Sequence, residues 1–465
     1  MAVSGGGKGP NKSGVSTEGL QRSMSTRQIQ MLAIGGVIGV GLFYGASLSV
    51  KLAGPAVIID FVVCGLIVAI VMRSLAEMTV EEPVSGSFGV YAKKYLGERV
   101  SFITSWMWWF YWVATVMSEL AAIGKLMEYW FPTLPAWIPG LVALILFIMT
   151  NLFSVRVFGE VEYWFSTLKV FAVGIFMIFG ALIIATGLFN GGHALGFVNL
   201  WQNGGFAPNG FLGIAMAISL TVQAYSGIET LGVEAGETKD PEKNIRRAFK
   251  TVTIRIGVLY IGSIFIMLSA FPWTYLINHA GSPYVLLFAK IGIPFAAGLV
   301  NLIIILSGLS SCNTGLYGGS RMLFGTSLGS RFEKTVGQLN ARRVPHVAVW
   351  LTGLAIAVGI LITYLAPDNV YVWITSASAF ADLWVWAIIL ISEMAFRSKM
   401  NRAGTTLRYP VPLWPTTPIV GLILVVLSFV AILVSPLTRI SVLTGVAFLI
   451  ILWLYHVLAA RRKIA

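Results

Sequence analysis

The chain predicts an all-α, polytopic membrane protein of about twelve spanning helices. Three observations carry that expectation: apolar runs of membrane-crossing length, a shortage of charge, and confinement of nearly all Lys and Arg to alternate connecting segments. Of its 465 residues, 57% are hydrophobic and 11% charged, against about 25% charged in an ordinary soluble domain. Mean hydropathy is +0.83.

A helix that crosses a bilayer needs roughly 20 apolar residues. Such runs fall at 31–51, 55–77, 100–129, 137–153, 161–187, 210–236, 250–271, 284–316, 346–365, 370–396, 417–434 and 440–460. They are long and continuous, unlike the roughly ten-residue alternations of a membrane barrel. Residues 1–29 are polar and rich in Gly and Ser, and read as a disordered cytoplasmic tail without a cleavable signal peptide.

Basic residues stay on the cytoplasmic side of spanning helices. With the N-terminus inside, every Lys and Arg except Lys51, Lys125, Lys169, Lys290 and Arg439 is counted on the inner side. One span missed or added would scramble that alternation. Both termini are therefore expected in the cytoplasm. The net charge of +13 and pI near 9.7 follow from this topology and from contact with anionic membrane lipids, so no nucleic-acid partner is expected. The segment 188–209 has no Lys or Arg, and Trp130, Trp137, Trp201 and Trp273 lie near outer boundaries as an aromatic belt. Cys64 and Cys312 lie in apolar runs, and His193, His279, His346 and His456 are scattered, so neither a metal site nor a cofactor is expected.

Two spans carry interruptions. The first contains Gly35-Gly36-Val37-Ile38-Gly39-Val40-Gly41, four glycines in seven residues; close helix packing is the competing reading. The sixth contains Gln223-Ala224-Tyr225-Ser226-Gly227-Ile228-Glu229-Thr230-Leu231-Gly232, for which a polar face toward a bundle interior is the alternative. Spans one and six are corresponding members of two five-helix halves. An odd number of helices gives the halves opposite topology, and paired broken helices mark a transporter-type site. A break leaves amides bare at the start of one half-helix and carbonyls bare at the end of the other. The amide end suits a carboxylate, and the carbonyl end suits an ammonium group. The amides of Gly39, Val40 and Gly41 are candidates for the first role. The carbonyls of Val37, Tyr225, Ser226 and Ile228 are candidates for the second. An amino acid carries both groups.

Several motifs extend this reading. Gly36-Val37-Ile38-Gly39-Val40-Gly41-Leu42-Phe43 resembles the GxIGxGLF motif of the amino acid–polyamine–organocation (APC) superfamily. Glu77-Met78 with Pro83-Val84-Ser85-Gly86-Ser87-Phe88 is similar to the stretch after its second helix. Ser226-Gly227-Ile228-Glu229, with Ala235-Gly236-Glu237 and Asp240-Pro241, resembles its sixth-helix motif and loop. Asn313-Thr314-Gly315-Leu316-Tyr317 and Ser320-Arg321-Met322-Leu323 resemble its eighth-helix signature. The match runs from about Gln28 to the C-terminus and is nearest to the bacterial amino acid transporter (AAT) family of permeases.

The resemblance implies a LeuT-like five-plus-five inverted repeat, with halves at 30–187 and 188–396 and two more helices in 397–465. It also implies proton-coupled amino acid import across a bacterial inner (plasma) membrane by alternating access. Val40 departs from the family, which commonly has Thr or Ser there; a substrate carboxylate is then left to backbone amides. Trp108 and Trp112 lie four apart on span three, and the resemblance turns them to the substrate cavity; a packing surface is the plainer reading. Tyr225 is expected to cap that cavity, with Asn313 and Ser376 adding polar contacts.

An ion inside the bilayer is a functional suspect by default. The resemblance sets Lys169 against span one, where a tethered ammonium takes the place of a sodium ion; snorkelling to the surface is the alternative. Glu229 reads as a proton-binding group, an acid that satisfies the broken backbone, or a partner for a cationic substrate. Glu119 has similar status for proton coupling. Asp60 and Asp382 are membrane-embedded without an assigned role. Glu77, Glu81 and Glu82 read as solvated at the inner boundary.

A channel would need a continuous polar pore, and the spans do not supply one. No HExxH, GxSxG, Walker A or paired-His pattern points to an enzyme. A small or neutral amino acid is the expected substrate. An exchanger, a permease for cationic, lysine-like substrates and a transporter-like nutrient sensor stay open as alternatives.

Overall fold

Inside a bilayer every backbone polar group has to be satisfied within the protein, which favours helices over any open strand. A computed structural model of the chain describes residues 38–84, 87–153, 155–188, 191–235, 241–278, 282–290, 294–327, 333–342, 344–366, 370–436 and 438–461. Among the described residues there is no strand.

A π-helical turn at Gly41–Gly45 leads into α1 (Ala46–Ala53). There follow α2 (Val57–Glu81), the short α3 (Ser87–Leu96), α4 (Glu98–Met127), α5 (Trp137–Phe153), α6 (Val155–Thr186), α7 (Gly210–Tyr225) and α8 (Thr230–Ala235). Next come α9 (Pro241–Ala270), the short α10 (Trp273–Asn278) and α11 (Pro283–Lys290), α12 (Pro294–Ser327) and the single turn α13 (Glu333–Val336). The chain closes with α14 (His346–Leu365), α15 (Val370–Arg402), α16 (Thr416–Val434) and α17 (Arg439–Arg461). Nine stretches among the described residues are long and apolar enough to cross a membrane, and Trp137–Leu152 is a shorter apolar helix. The protein is a multi-pass helical membrane protein.

The expected spans reappear in order, with one misplaced. The eighth, expected at 284–316, is divided between α11 and the longer α12. Pro294 opens α12, where its missing N–H and fixed φ are tolerated. Span six is interrupted, as its sequence predicts. The first half of span one lies outside the described residues, together with Val37 and the expected disordered tail.

Burial separates the middle of the bundle from its rim. In α15, 83% of the apolar window is buried; in α17 only 22% is. The outward side chains of α16 and α17, such as Leu427, Val430, Leu443 and Ile451, are apolar and exposed, which is the surface a lipid tail solvates. In the interior α4 packs along α12 and α15, α2 along α9, and α1 along α7.

At one end of α2 the expectation of solvated acids fails. Glu77 is fully buried. It accepts a hydrogen bond from Arg397 Nη1 at 2.8 Å and another from the Val411 amide. Arg73 lies 3.2 Å above the Tyr409 ring, and the Arg408 amide donates to Glu81. Because α15 runs on to Arg402, Arg397 reaches α2, and the connecting segment folds back over both. Glu82 is held by Lys94 Nζ at 2.6 Å and by the Tyr95 hydroxyl at 3.0 Å.

Close helix approach tests this packing. A Cβ on Gly124 of α4 would stand 2.0 Å from the Ala136 carbonyl oxygen, a backbone atom that cannot rotate away. Gly124→Ala is expected to destabilise the purified protein by about 1–3 kcal/mol, read as a lower thermal midpoint. Gly257→Ala, where a Cβ meets nothing within 4 Å, is expected to leave the midpoint in place.

Candidate functional site

The sixth span is broken at one point. α7 ends at Tyr225, Ser226 turns extended (φ −63°, ψ 150°), and α8 restarts at Thr230. Gly227 sits at φ +92°, a region that side chains disfavour. The carbonyls of Gly227, Ile228 and Glu229 accept from the amides of Thr230, Leu231 and Gly232 at 3.2, 3.2 and 2.9 Å. The expectation of a bare Ile228 carbonyl is therefore corrected: the tight turn uses one of its lone pairs. No such acceptance by the carbonyls of Tyr225 and Ser226 occurs among the described residues.

Where the described part of span one opens, Ile38 and Gly39 are non-helical and the helix begins at Val40. The Val40 N–H is aimed at the Glu119 carboxylate, 3.2 Å from Oε1 and 3.1 Å from Oε2. The Ile38 carbonyl accepts from Ser307 Oγ at 2.7 Å. A Cβ on Gly39 would stand 2.2 Å from Glu119 Oε1, so the approach of the acid requires glycine there. Lys169 of α6, 1% exposed, acts electrostatically on this carboxylate, with the Ser311 hydroxyl beside it. The helix start of span one and the end of α7 meet backbone to backbone: a Cβ on Gly41 would lie 3.3 Å from Ala224 Cα.

One face of α4 touches both breaks. Trp108, Tyr111, Trp112, Thr115 and Glu119 recur at intervals of three and four residues, one stripe of a helix. At one end of the stripe Glu119 meets break one. At the other, Trp108 Nε1 donates to Glu229 Oε1 at 3.0 Å. Between them Tyr111 and Trp112 reach the Gly227 turn, where a Cβ would lie 3.1 Å from the Tyr111 hydroxyl and 3.7 Å from the Trp112 ring edge. Gln223 Nε2 donates to Thr115 Oγ1 at 3.2 Å, and Thr115 and Ser378 hydroxyls stand 2.7 Å apart. Glu229, fully buried, also takes Trp386 Nε1 at 3.4 Å, and the amides of Gly227 and of Glu229 itself face its carboxylate.

Three expected pocket side chains stand elsewhere. The Tyr225 hydroxyl donates to the Phe61 carbonyl at 2.9 Å, and its ring lies 4.8 Å from that of Tyr260. The side chain is thus packed between α2 and α9, and does not cap the space between the breaks. Asn313 accepts from Asn151 Nδ2 at 2.9 Å; two residues past Ser311, it is turned about 200° round α12, toward α5. Ser376 donates to the Val372 carbonyl at 2.7 Å and lies 3.3 Å from Ser219 Oγ, between α7 and α15 and away from the turn. Sequence reading missed Tyr111, Thr115, Gln223, Ser307, Ser311, Ser378 and Trp386. The polar positions in the α4 stripe were the available signal.

A multi-pass helical protein in which an interrupted sixth span meets the helix start of the first has the build of a transporter. The chain belongs to the amino acid permease family, whose model matches residues 28–465. It is 41% identical over 441 residues to an uncharacterized amino acid permease, YtnA, of Bacillus subtilis, covering 94% of this chain and 95% of that one. It is 39% identical over 430 residues to the probable threonine/serine transporter YbxG of Bacillus subtilis, covering 92% and 93%. It is 37% identical over 437 residues to the aromatic amino acid transport protein AroP of Escherichia coli, covering 94% of each. The family expectation from the motifs is thereby borne out.

The indole donor to Glu229 is testable by itself. Trp108→Phe keeps most of the ring volume and removes a hydrogen bond to a buried acid, a loss of about 1.5–3 kcal/mol. Denaturant or thermal unfolding in detergent is expected to show that loss. Trp164→Phe, at a position 63% exposed, is expected to show none.

Proposed function

We propose that this permease imports a small neutral amino acid across a bacterial inner membrane, coupled to protons, by alternating access of a site between the two breaks. The halves would be residues 30–187 and 188–396, in inverted topology, with both termini cytoplasmic, as the distribution of Lys and Arg supports.

The observation that carries the reading is the Glu119 carboxylate on the Val40 amide. It supports the chemistry proposed for the substrate, a carboxylate received at a helix N-terminus by a backbone amide. A substrate carboxylate would take the amides around Gly39, Val40 and Gly41, with Glu119 yielding its share of Val40. The ammonium group would meet the Tyr225 and Ser226 carbonyls across the gap, under the rings of Tyr111 and Trp112. Glu119, once displaced, faces Lys169, and both are buried. A proton is then the group both can exchange, and this supports coupling through that pair.

Substrate class follows from Glu229. Its carboxylate already has two indole donors and two amides around it, so it is poorly placed to serve as the counter-charge of a cationic side chain. The two relatives named for a substrate are named for threonine/serine and for aromatic amino acids, all neutral zwitterions, which favours a neutral substrate over a lysine-like one.

A thermal-shift screen of the twenty amino acids, with D-alanine, D-serine and 4-aminobutyrate, identifies the ligand. Proteoliposome uptake then tests the mechanism. Accumulation is expected to follow an imposed proton gradient. Lys169→Ala is expected to abolish that accumulation while substrate-induced thermal stabilisation is partly retained. Uptake that follows a sodium gradient and ignores pH overturns the coupling. Binding without any uptake favours the sensor.

A further inference from the structure

The polar network at the end of α2 has no role in the scheme above. The segment 403–415, between α15 and α16, lies across it as a strap. Most of the strap is exposed, but Val411 is only 2% exposed. Its contacts fasten it to α2. The Val411 amide donates to Glu77, and the Arg408 amide donates to Glu81. Arg73 Nη2 donates to the Pro410 carbonyl at 2.5 Å, and its guanidinium lies 3.2 Å above the Tyr409 ring. Beside the strap, the Glu77–Arg397 ion pair at 2.8 Å ties α2 to α15. Glu393, four residues back on α15, faces both members of that pair.

The network stands directly behind the sixth-span break. A Cβ on Gly232 of α8 would lie 2.5 Å from Ser87 Oγ and 2.6 Å from Leu75 Cδ2. The second half of the broken helix therefore rests on α2 and α3, two residues from Glu77. On α15, Trp386 donates to Glu229 at 3.4 Å, and Arg397 follows eleven residues later, about 16 Å along the helix. Thus α15 holds the break with one side chain and the end of α2 with another. The two helices have different principal neighbours: α2 runs along α9, and α15 along α4. The ion pair and the strap bridge those two packed groups at one end of the bundle.

A buried ion pair is costly to part while its members stay dry. Glu77 and Arg397 escape that cost when water enters as they separate. Glu77 is about one turn from the end of α2, the Arg397 side chain is 16% exposed, and the strap over them already faces water along most of its length. Lifting the strap hydrates both ions in the same movement. An apolar seam has no such release, since separating it brings apolar surface into water.

We propose that the 403–415 strap and the Glu77–Arg397 pair form the cytoplasmic gate of this permease. Closed, as in this structure, they hold α2 against α15 and keep α8 seated. Released, they let α2 and α8 move away from α15, which opens the break to the cytoplasm. This rests on the alternating-access reading and adds to it the element that parts on the inner side.

Two measurements test the gate on the full-length protein with Cys64 and Cys312 replaced by Ala. In the first, Val411→Cys is labelled in detergent by a water-soluble maleimide. Labelling is expected to be slow, and to quicken about tenfold when Glu77→Gln removes the charge that holds the strap. A fast rate from the outset, or one that Glu77→Gln leaves unchanged, overturns the proposal. Should Glu77→Gln fail to fold, Arg397→Gln gives the same decision. In the second, Glu81→Cys and Arg408→Cys are joined in proteoliposomes by a membrane-permeant, reducible bifunctional thiol reagent. Uptake of the amino acid that the thermal-shift screen selects is expected to fall about tenfold and to return on reduction. Thermal stabilisation by that amino acid is expected to persist in the joined protein. Uptake that ignores the cross-link sinks the gate. Absence of uptake before cross-linking overturns the import reading and the gating role with it, while the labelling rate decides independently whether the pair holds the strap.

Discussion

The constraint on which the site depends is the need to satisfy backbone polar groups that water cannot reach. A helix broken inside a bundle exposes amides and carbonyls in the place where they are most costly to leave bare. Here the remedy is made of side chains from neighbouring helices. Glu119 receives the Val40 amide, Ser307 donates to the Ile38 carbonyl, and Glu229 faces the amides of its own turn. Each remedy creates a further demand, since a buried acid needs partners too. Lys169 meets that demand at the first break, and the indoles of Trp108 and Trp386 meet it at the second.

Helix α4 connects the two. From Trp108 to Glu119 is eleven residues, a rise of about 16 Å, and that span of one helix face serves both breaks. Its aromatic members fill the volume beside the Gly227 turn, and its polar members, Thr115 and Glu119, tie α7, α15 and the start of the first described helix to it. The same surface thereby defines where a zwitterion can lie and which protein groups it would touch. Side chains that look available in sequence, such as Asn313 and Tyr225, are already used to join neighbouring helices.

A separate polar network gathers at the far end of α2. Glu77 bonds Arg397 and the Val411 amide, and Arg73 covers Tyr409. It joins α2, α15 and the segment that leads to α16. This network and the Trp386–Glu229 hydrogen bond hold α15 at two levels, one at its end and one at its middle. A helix that is 83% buried over its apolar window, carries two buried acids, Asp382 and Glu393, and has Glu229 against its Trp386 is poorly described as a passive wall.

Composition and local pattern determined the all-α class, the order of spans and the interruption of the sixth. Apolar length, glycine clustering and loop charge are properties of short stretches, and lipid imposes them on any chain that crosses it. The eighth span was misplaced because apolar character runs on through a proline that divides the helices. The partners of the buried acids were not legible. Glu119 meeting Val40 spans 79 positions and Trp108 meeting Glu229 spans 121, and no local rule relates residues so far apart. Glu77 reads as solvated until α15 brings Arg397 to it, and Asp382 has no visible neighbour until the Ser226–Glu229 turn comes against α15. Tertiary structure decided these pairings because a buried charge is set by what surrounds it in space, and sequence neighbours along a helix point to other faces.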